Sequence, residues 1–287
     1  MMNRRHFLAG CCALHTLPLL AQTQPADGSQ FICSAIVPPD HMSVITHSSE
    51  TEKMEIEESA KTFDLSPHGT IAVGDRWRRN EGSTPGTGKI TLGVFFMGGT
   101  ADAQKRVIDN ARVWQDKTGG GITFDFNVEQ DRSHLRVSFD GNDGNWSIIG
   151  RASANQKISR PTMNLSDVIP NIIQHEFGHA IGLQHEHSHP GGEFRWNEDV
   201  VINAMKAYGW SAATTRRNIF ERYGNNYACL NKPKPDYDSV MFYPIPLGWA
   251  VIRKTTTDPW VPFTHPGGKL ISAEDVACIK GVYGLRA

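Results

Sequence analysis

The chain has 287 residues, with 29 Lys and Arg against 30 Asp and Glu, and 39% of its residues are apolar. That is enough to bury a core, and a net charge of −1 offers no cationic stripe to nucleic acid or an acidic membrane. Five cysteines are too few for a disulfide-built scaffold, and no apolar run reaches the ~18 residues of a membrane helix.

The N-terminus reads as an export signal. Arg4 and Arg5 form a charged head, Phe7 to Ala21 is mostly apolar, and a small-residue cleavage site falls near Ala21 and Gln22. Asn3-Arg-Arg-His-Phe-Leu-Ala-Gly10 resembles a twin-arginine signal, which predicts a bacterial protein exported to the periplasm or the medium. Leu8-Ala-Gly-Cys11 also resembles a lipoprotein box, but too few apolar residues precede Cys11. Residues 22–80 are polar and irregular, with Pro38-Pro39 and five glutamates between Glu50 and Glu58, a composition that seldom builds a core. The division is therefore 1–21 as signal, 22–80 as an irregular, propeptide-like segment and 81–287 as the folded domain.

Ser83 to Gly88 reads as a loop. Ile90 to Met97 is strand-like, and Ala101 to Lys117 has helical spacing through Val107, Ile108, Ala111 and Trp114. Short strands are expected at 122–128, 135–139 and 147–152, with a possible fourth at 161–165. Strand, helix, strands and helix in that order predict an α+β domain.

The chemistry concentrates in His175-Glu-Phe-Gly-His-Ala-Ile-Gly-Leu-Gln-His-Glu-His187. Pro170 at a helix start and Ile172, Ile173, Phe177, Ala180 and Ile181 predict an amphipathic helix. His175 and His179, four apart, project from one face and can share a metal, with Glu176 beside it. On a continuous helix His185 would lie roughly 15 Å from His175 along the axis. Gly182 can end the helix with a positive φ and fold His185 back. Three neutral imidazoles are a usual set for one catalytic zinc ion, with a position left open for water. His187 and His189 read as solvated loop residues.

This pattern, followed by Tyr237-Asp-Ser-Val-Met-Phe-Tyr243, resembles the metzincin signature with its Met-turn. Glu186 directly after the third histidine and Tyr243 two residues after Met241 resemble the astacin branch, over about Lys89 to Gly284. Phe242 departs from the histidine usual in that family. The resemblance implies a metzincin-type zincin: a mixed twisted sheet, backing helix, active-site helix, Met-turn and C-terminal helix. It implies a zinc endopeptidase acting on protein or peptide substrates, with Glu176 as general base and Tyr243 stabilising the oxyanion. Met241 would lie beneath the zinc, and Glu186 would meet the matured N-terminus. The strand at 147–152 could pair with an extended substrate if it forms the sheet edge.

A zymogen follows from the same resemblance. Its zinc could be blocked by Asp75, in a Gly-Asp pair weakly similar to the astacin aspartate switch, or by the Cys33 thiolate. Loss of the signal leaves Cys33, Cys229 and Cys278, an odd number; pairing Cys229 with Cys278 would leave Cys33 free. Two other functions fit less closely. A zinc exopeptidase would need a chain-end capture group, for which no motif is present. A non-catalytic exported binding module would not need Glu176 beside three histidines.

Overall fold

The computed structural model describes residues 71–78, 89–224 and 233–285, together with the backbone of 33–36 and 227–228. The expected signal sequence, the Ser83–Gly88 loop and Cys229 lie outside the described residues. In chain order the elements are β1 (Cys33–Ile36), β2 (Ile71–Ala72), β3 (Ile90–Phe96), α1 (Ala101–Lys117), β4 (Ile122–Asp125), β5 (Leu135–Ser138), β6 (Asn145–Ile148), β7 (Met163–Asn164) and α2 (Pro170–Ala180). They continue with β8 (Arg195–Trp196), α3 (Glu198–Lys206), α4 (Ala212–Thr215), β9 (Tyr227–Ala228), β10 (Pro244–Ile252), β11 (Val261–Pro266) and α5 (Ala273–Tyr283).

Six strands form one mixed sheet in the order β1-β6-β7-β5-β3-β4. β6 runs antiparallel to β7, whereas β7, β5, β3 and β4 are mutually parallel. The parallel steps need crossovers, and α1 provides the one between β3 and β4. Its start is set by Thr100, whose side chain accepts from the Ala103 amide at 3.2 Å, and its buried stripe is Val107, Ala111 and Trp114. α2 opens with Pro170 and packs the same core through Ile172, Ile173, Phe177 and Ala180. α5 closes it with Cys278, Ile279 and Val282, after a capping box between Ser272 and Asp275.

A second, smaller core belongs to the C-terminal half. Phe194, Val201, Met205, Ile219, Phe242, Tyr243, Ile245 and Trp249 bury one another beneath the three-stranded sheet β11-β10-β8. The Met-turn joins the two cores, since Met241 packs in the first and Phe242 and Tyr243 in the second.

Two departures from the sequence reading concern the N-terminal segment. Ile71 and Trp77, counted above with the irregular 22–80 segment, are buried in the main core. The Trp77 indole donates to the Ala180 carbonyl at 2.8 Å, and its backbone amide donates to Tyr283 Oη at 3.2 Å. Tyr283 Oη in turn donates to the Ile181 carbonyl at 2.8 Å. The last carbonyls of α2, which have no intrahelical donor, are thereby satisfied. The second concerns the strand read at 147–152, which falls at Asn145–Ile148 and, of the two arrangements the sequence left open for its edge, has the covered one. β1 lies parallel along β6, pairing Cys33 with Asn145 through Ile36 with Ile148.

Candidate metal centre

The geometry begins with α2. His175, Glu176 and His179 are all buried on it, and the helix ends at Ala180. Gly182 then takes φ +105°, while its amide donates to His179 O at 2.8 Å and the Leu183 amide to Gly178 O at 2.9 Å. This reversal brings His185 back, as the spacing predicted. One ring nitrogen from each of His175, His179 and His185 lies within 4.8 Å of the other two, the sole such group of three or more His, Cys, Asp or Glu among the described residues.

Each helix imidazole is oriented by a backbone carbonyl. His175 Nδ1 donates to Val240 O and His179 Nδ1 to Leu183 O, both at 2.7 Å. A carbonyl can only accept, so in the neutral rings both Nε2 atoms carry lone pairs directed at the cluster. His179 Nε2 and His185 Nε2 approach to 3.0 Å. Tetrahedral zinc at about 2.0–2.1 Å would set these nitrogens roughly 3.3 Å apart, so the donor set fits zinc with little movement. Burial lowers the pKa of His175 to about 4 and those of His179 and His185 well below the usual value, which keeps the rings neutral as ligands.

Met241 is fully buried directly under the turn of α2 between the two histidines. A Cβ on Gly178 would come within 2.6 Å of its Sδ. The Met-turn is itself tied down, since Ser239 Oγ accepts from the Met241 amide at 2.9 Å and donates to Asp275 at 2.7 Å. Glu186 is buried, its amide donates to Met241 O at 3.1 Å, and its Oε2 accepts from the Asp236 amide at 3.0 Å. The Tyr243 ring lies 4.2 Å from that of His185 and 6.1 Å from that of His175.

His187 and His189 are not solvated. Both are buried, because the short helix Glu186–Ser188 folds under Arg222, which donates to the carbonyls of His187 and His189. The His187 ring stacks on Tyr243 at 4.3 Å and on His185 at 5.1 Å, and its Nε2 donates to Asn218 O at 3.1 Å. Burial lowers its pKa to about 3. Tyr223 joins the site from farther along the chain; its hydroxyl accepts from the His185 amide at 2.9 Å. No local pattern marks His187 or Tyr223, because both act through partners about 30 to 60 positions away.

Asp75 is not among the residues whose ligand atoms cluster with those of the three histidines; its partner is Gln184, the residue before His185. Asp75 is buried with its Oδ2 accepting from Gln184 Nε2 at 3.2 Å; burial raises its pKa to about 7, partly offset by Arg151 and then by that hydrogen bond. Cys33 is placed only by its backbone, in β1. Cys278 is disulfide-bonded.

Residues 93–283 match the family model described as Astacin, a peptidase family. The chain belongs to the astacin family. It is 35% identical over 127 residues to zinc metalloproteinase nas-38 of Caenorhabditis elegans, a match covering 44% of this chain and 15% of that protein. It is 35% identical over 144 residues to an astacin-like metalloendopeptidase of Coturnix japonica, covering 49% and 32%. The chain thus spans a third or less of the length of these curated relatives. Among solved structures, that of myroilysin superposes with a TM-score of 0.61 at 25% identity, over 75% of this chain and 98% of the other. The fold is the expected α+β metzincin, and zinc is the metal to which this donor set corresponds.

Proposed function

We propose that this astacin-family chain is an exported zinc metalloendopeptidase that cuts protein or peptide substrates. The observation that carries this reading is the convergence of three buried imidazoles, from a helix and the turn after it, with Glu176 on the same helix. His175, His179 and His185 would hold the ion; zinc, when bound, supplies Lewis acidity and an ionised water near neutral pH. Glu176 takes the water's proton and later delivers it to the leaving amine. Tyr243, stacked on His187 and leaning against His185, donates a hydrogen bond to the developing oxyanion. Met241, Gly182 and Glu186 serve the site by position, not by touching substrate.

The zymogen reading gains support from β1. An extended substrate would need the outer edge of β6, and this chain's own residues 33–36 lie along it. Maturation would remove β1 together with Cys33 and free that edge, whereas Asp75, buried against Gln184, would stay with the folded domain and so does not suit a removable block. Ile71 and Trp77 belong to the core, so a cut that preserves the fold falls before residue 71.

The deciding experiment is Glu176→Gln in the matured protein. Zinc content should stay stoichiometric while cleavage of a blocked, internally quenched peptide drops at least ~1000-fold, as for loss of an essential acid–base group (about 10²–10⁴). Turnover like wild type in that variant would remove Glu176 as base. Cleavage confined to unblocked chain ends would replace the endopeptidase by an exopeptidase.

A further inference from the structure

The outer face of the small sheet carries a second feature that the catalytic reading does not use. In β8, β10 and β11 the register pairs Val251 with both Arg195 and Pro262, and Ile252 with Val261. Partners in register share a face, and residues two apart along a strand share it too. Arg195, Val251, Arg253, Trp260 and Pro262 therefore stand on one side of this sheet. Trp196, Ala250 and Phe263 stand on the other, against the second core.

On that outer side two guanidiniums stack over one indole. Arg195 Cζ is 4.4 Å and Arg253 Cζ 4.7 Å from the Trp260 ring centre. Arg253 is further fixed by donating to the Thr256 carbonyl at 2.8 Å. Around them opens a pocket of about 380 Å³, also lined by Lys254 and by Thr255 and Thr256. Its lining carboxylate, Glu193, is engaged by Lys234 at 3.1 Å. Neither Arg195 nor Arg253 forms an ion pair among the described residues. Cation–π attraction holds both guanidiniums against one ring although they repel each other. An anion in the pocket beside them would offset that repulsion, and the planar guanidinium fork suits a carboxylate.

We propose that this pocket is an exosite for acidic side chains of the protein substrate, at a segment remote from the scissile bond. The proposal rests on the peptidase reading for its choice of ligand, a Glu- or Asp-bearing polypeptide. Charge supports that choice: Arg195, Arg253 and Lys254 line the pocket, and its carboxylate, Glu193, is already engaged by Lys234. Trp196, next to Arg195 in β8 but on the opposite side of the sheet, packs its ring 5.9 Å from that of His187, so the same short strand borders both regions.

The test uses the zinc-loaded matured protein and two quenched peptides with one cleavage sequence. One ends there; the other continues through about ten Gly/Ser residues, with a mean reach of roughly 17 Å, into five glutamates. In wild type at low salt the ratio of kcat/KM, tailed over plain, is expected to be about fivefold and to fall toward one at about 0.5 M salt. In Arg195→Ala/Arg253→Ala the ratio should be near one at every salt concentration. Because each enzyme is its own reference, general damage cancels. A ratio near one in wild type, or one unchanged in the double variant, would overturn the exosite.

Anisotropy of a labelled Glu-rich peptide separates this proposal from the catalytic one. Binding lost in the double variant supports the pocket even if neither peptide is cut. Equal cleavage of both peptides without binding removes the pocket and leaves the peptidase intact. Binding of a sulfated polysaccharide through the same arginines, with none of the acidic peptide, would also overturn it.

Discussion

Two glycines in the zinc-binding stretch are required for different reasons, and the difference is measurable. At Gly178 the backbone is ordinary helix, but a Cβ would meet Met241 Sδ at 2.6 Å. Gly178→Ala must displace the methionine, an overpacking change that costs typically about 1–3 kcal/mol. At Gly182 the nearest atom to an added Cβ is 3.4 Å away, yet φ is +105°. Gly182→Ala therefore strains the backbone by about 1–3 kcal/mol and pulls His185 from its place. Urea midpoints should fall in both variants. Zinc affinity should fall further in the Gly182 variant, because His185 follows that turn directly; equal zinc affinities would contradict this division. His175, His179, Glu176 and Gly182 could all be read from spacing, since helix periodicity and one turn determine them. His187 could not, since its burial depends on Tyr243, Asn218 and Arg222, which no local pattern connects to it.

The N-terminal turn of α5 is the element that fixes the Met-turn, and it does so with a buried acid. Asp275 accepts from Ser239 Oγ at 2.7 Å and from the Ser272 amide at 3.0 Å, with Asp236 close by across Ser272. Burial raises its pKa to about 7, against the hydrogen bonds from Ser239 and Ser272. Between the usual carboxyl value near 4 and about 7, the folded state holds a proton that the unfolded state has lost. Asp275 therefore favours folding most in acid, and this contribution disappears as pH rises through about 7. Asp75 has the same sign, whereas His175 and His187, with lowered values, lose stability as pH falls below 6.5. In metal-free protein Asp275→Asn should cost more stability at about pH 5 than at about pH 8, read from urea unfolding. A deficit independent of pH would mean that Asp275 does not titrate in this interval. At this level α1 and α2 follow the sequence closely, having strong periodicity and clear starts. The small sheet does not, since β8 has two residues, β10 contains two prolines, and both are held by distant pairing.

Taken whole, the molecule places its candidate centre where two cores meet, with ligands backed by one and Tyr243 held by the other. The metal motif was plain in the sequence, and so was the class of fold. The commitment of Ile71 and Trp77 to the core was not, because arginines around Trp77 resemble an irregular segment until the chain closes on itself. That closure has a kinetic consequence. The hydrogen bonds that finish the zinc-bearing helix connect Trp77 to Ala180, Trp77 to Tyr283 and Tyr283 to Ile181, across 103, 206 and 102 residues. Contacts of such separation form late, after the entropy of long loops has been overcome. In refolding from urea, zinc capture should follow the slowest tryptophan fluorescence phase, and Trp77→Phe should delay it. Capture in an early phase would show that the turn forms by itself. On the ribosome the same constraint orders events in time: the histidines emerge about a hundred residues before Tyr283, so the site waits for a segment made well after its own ligands.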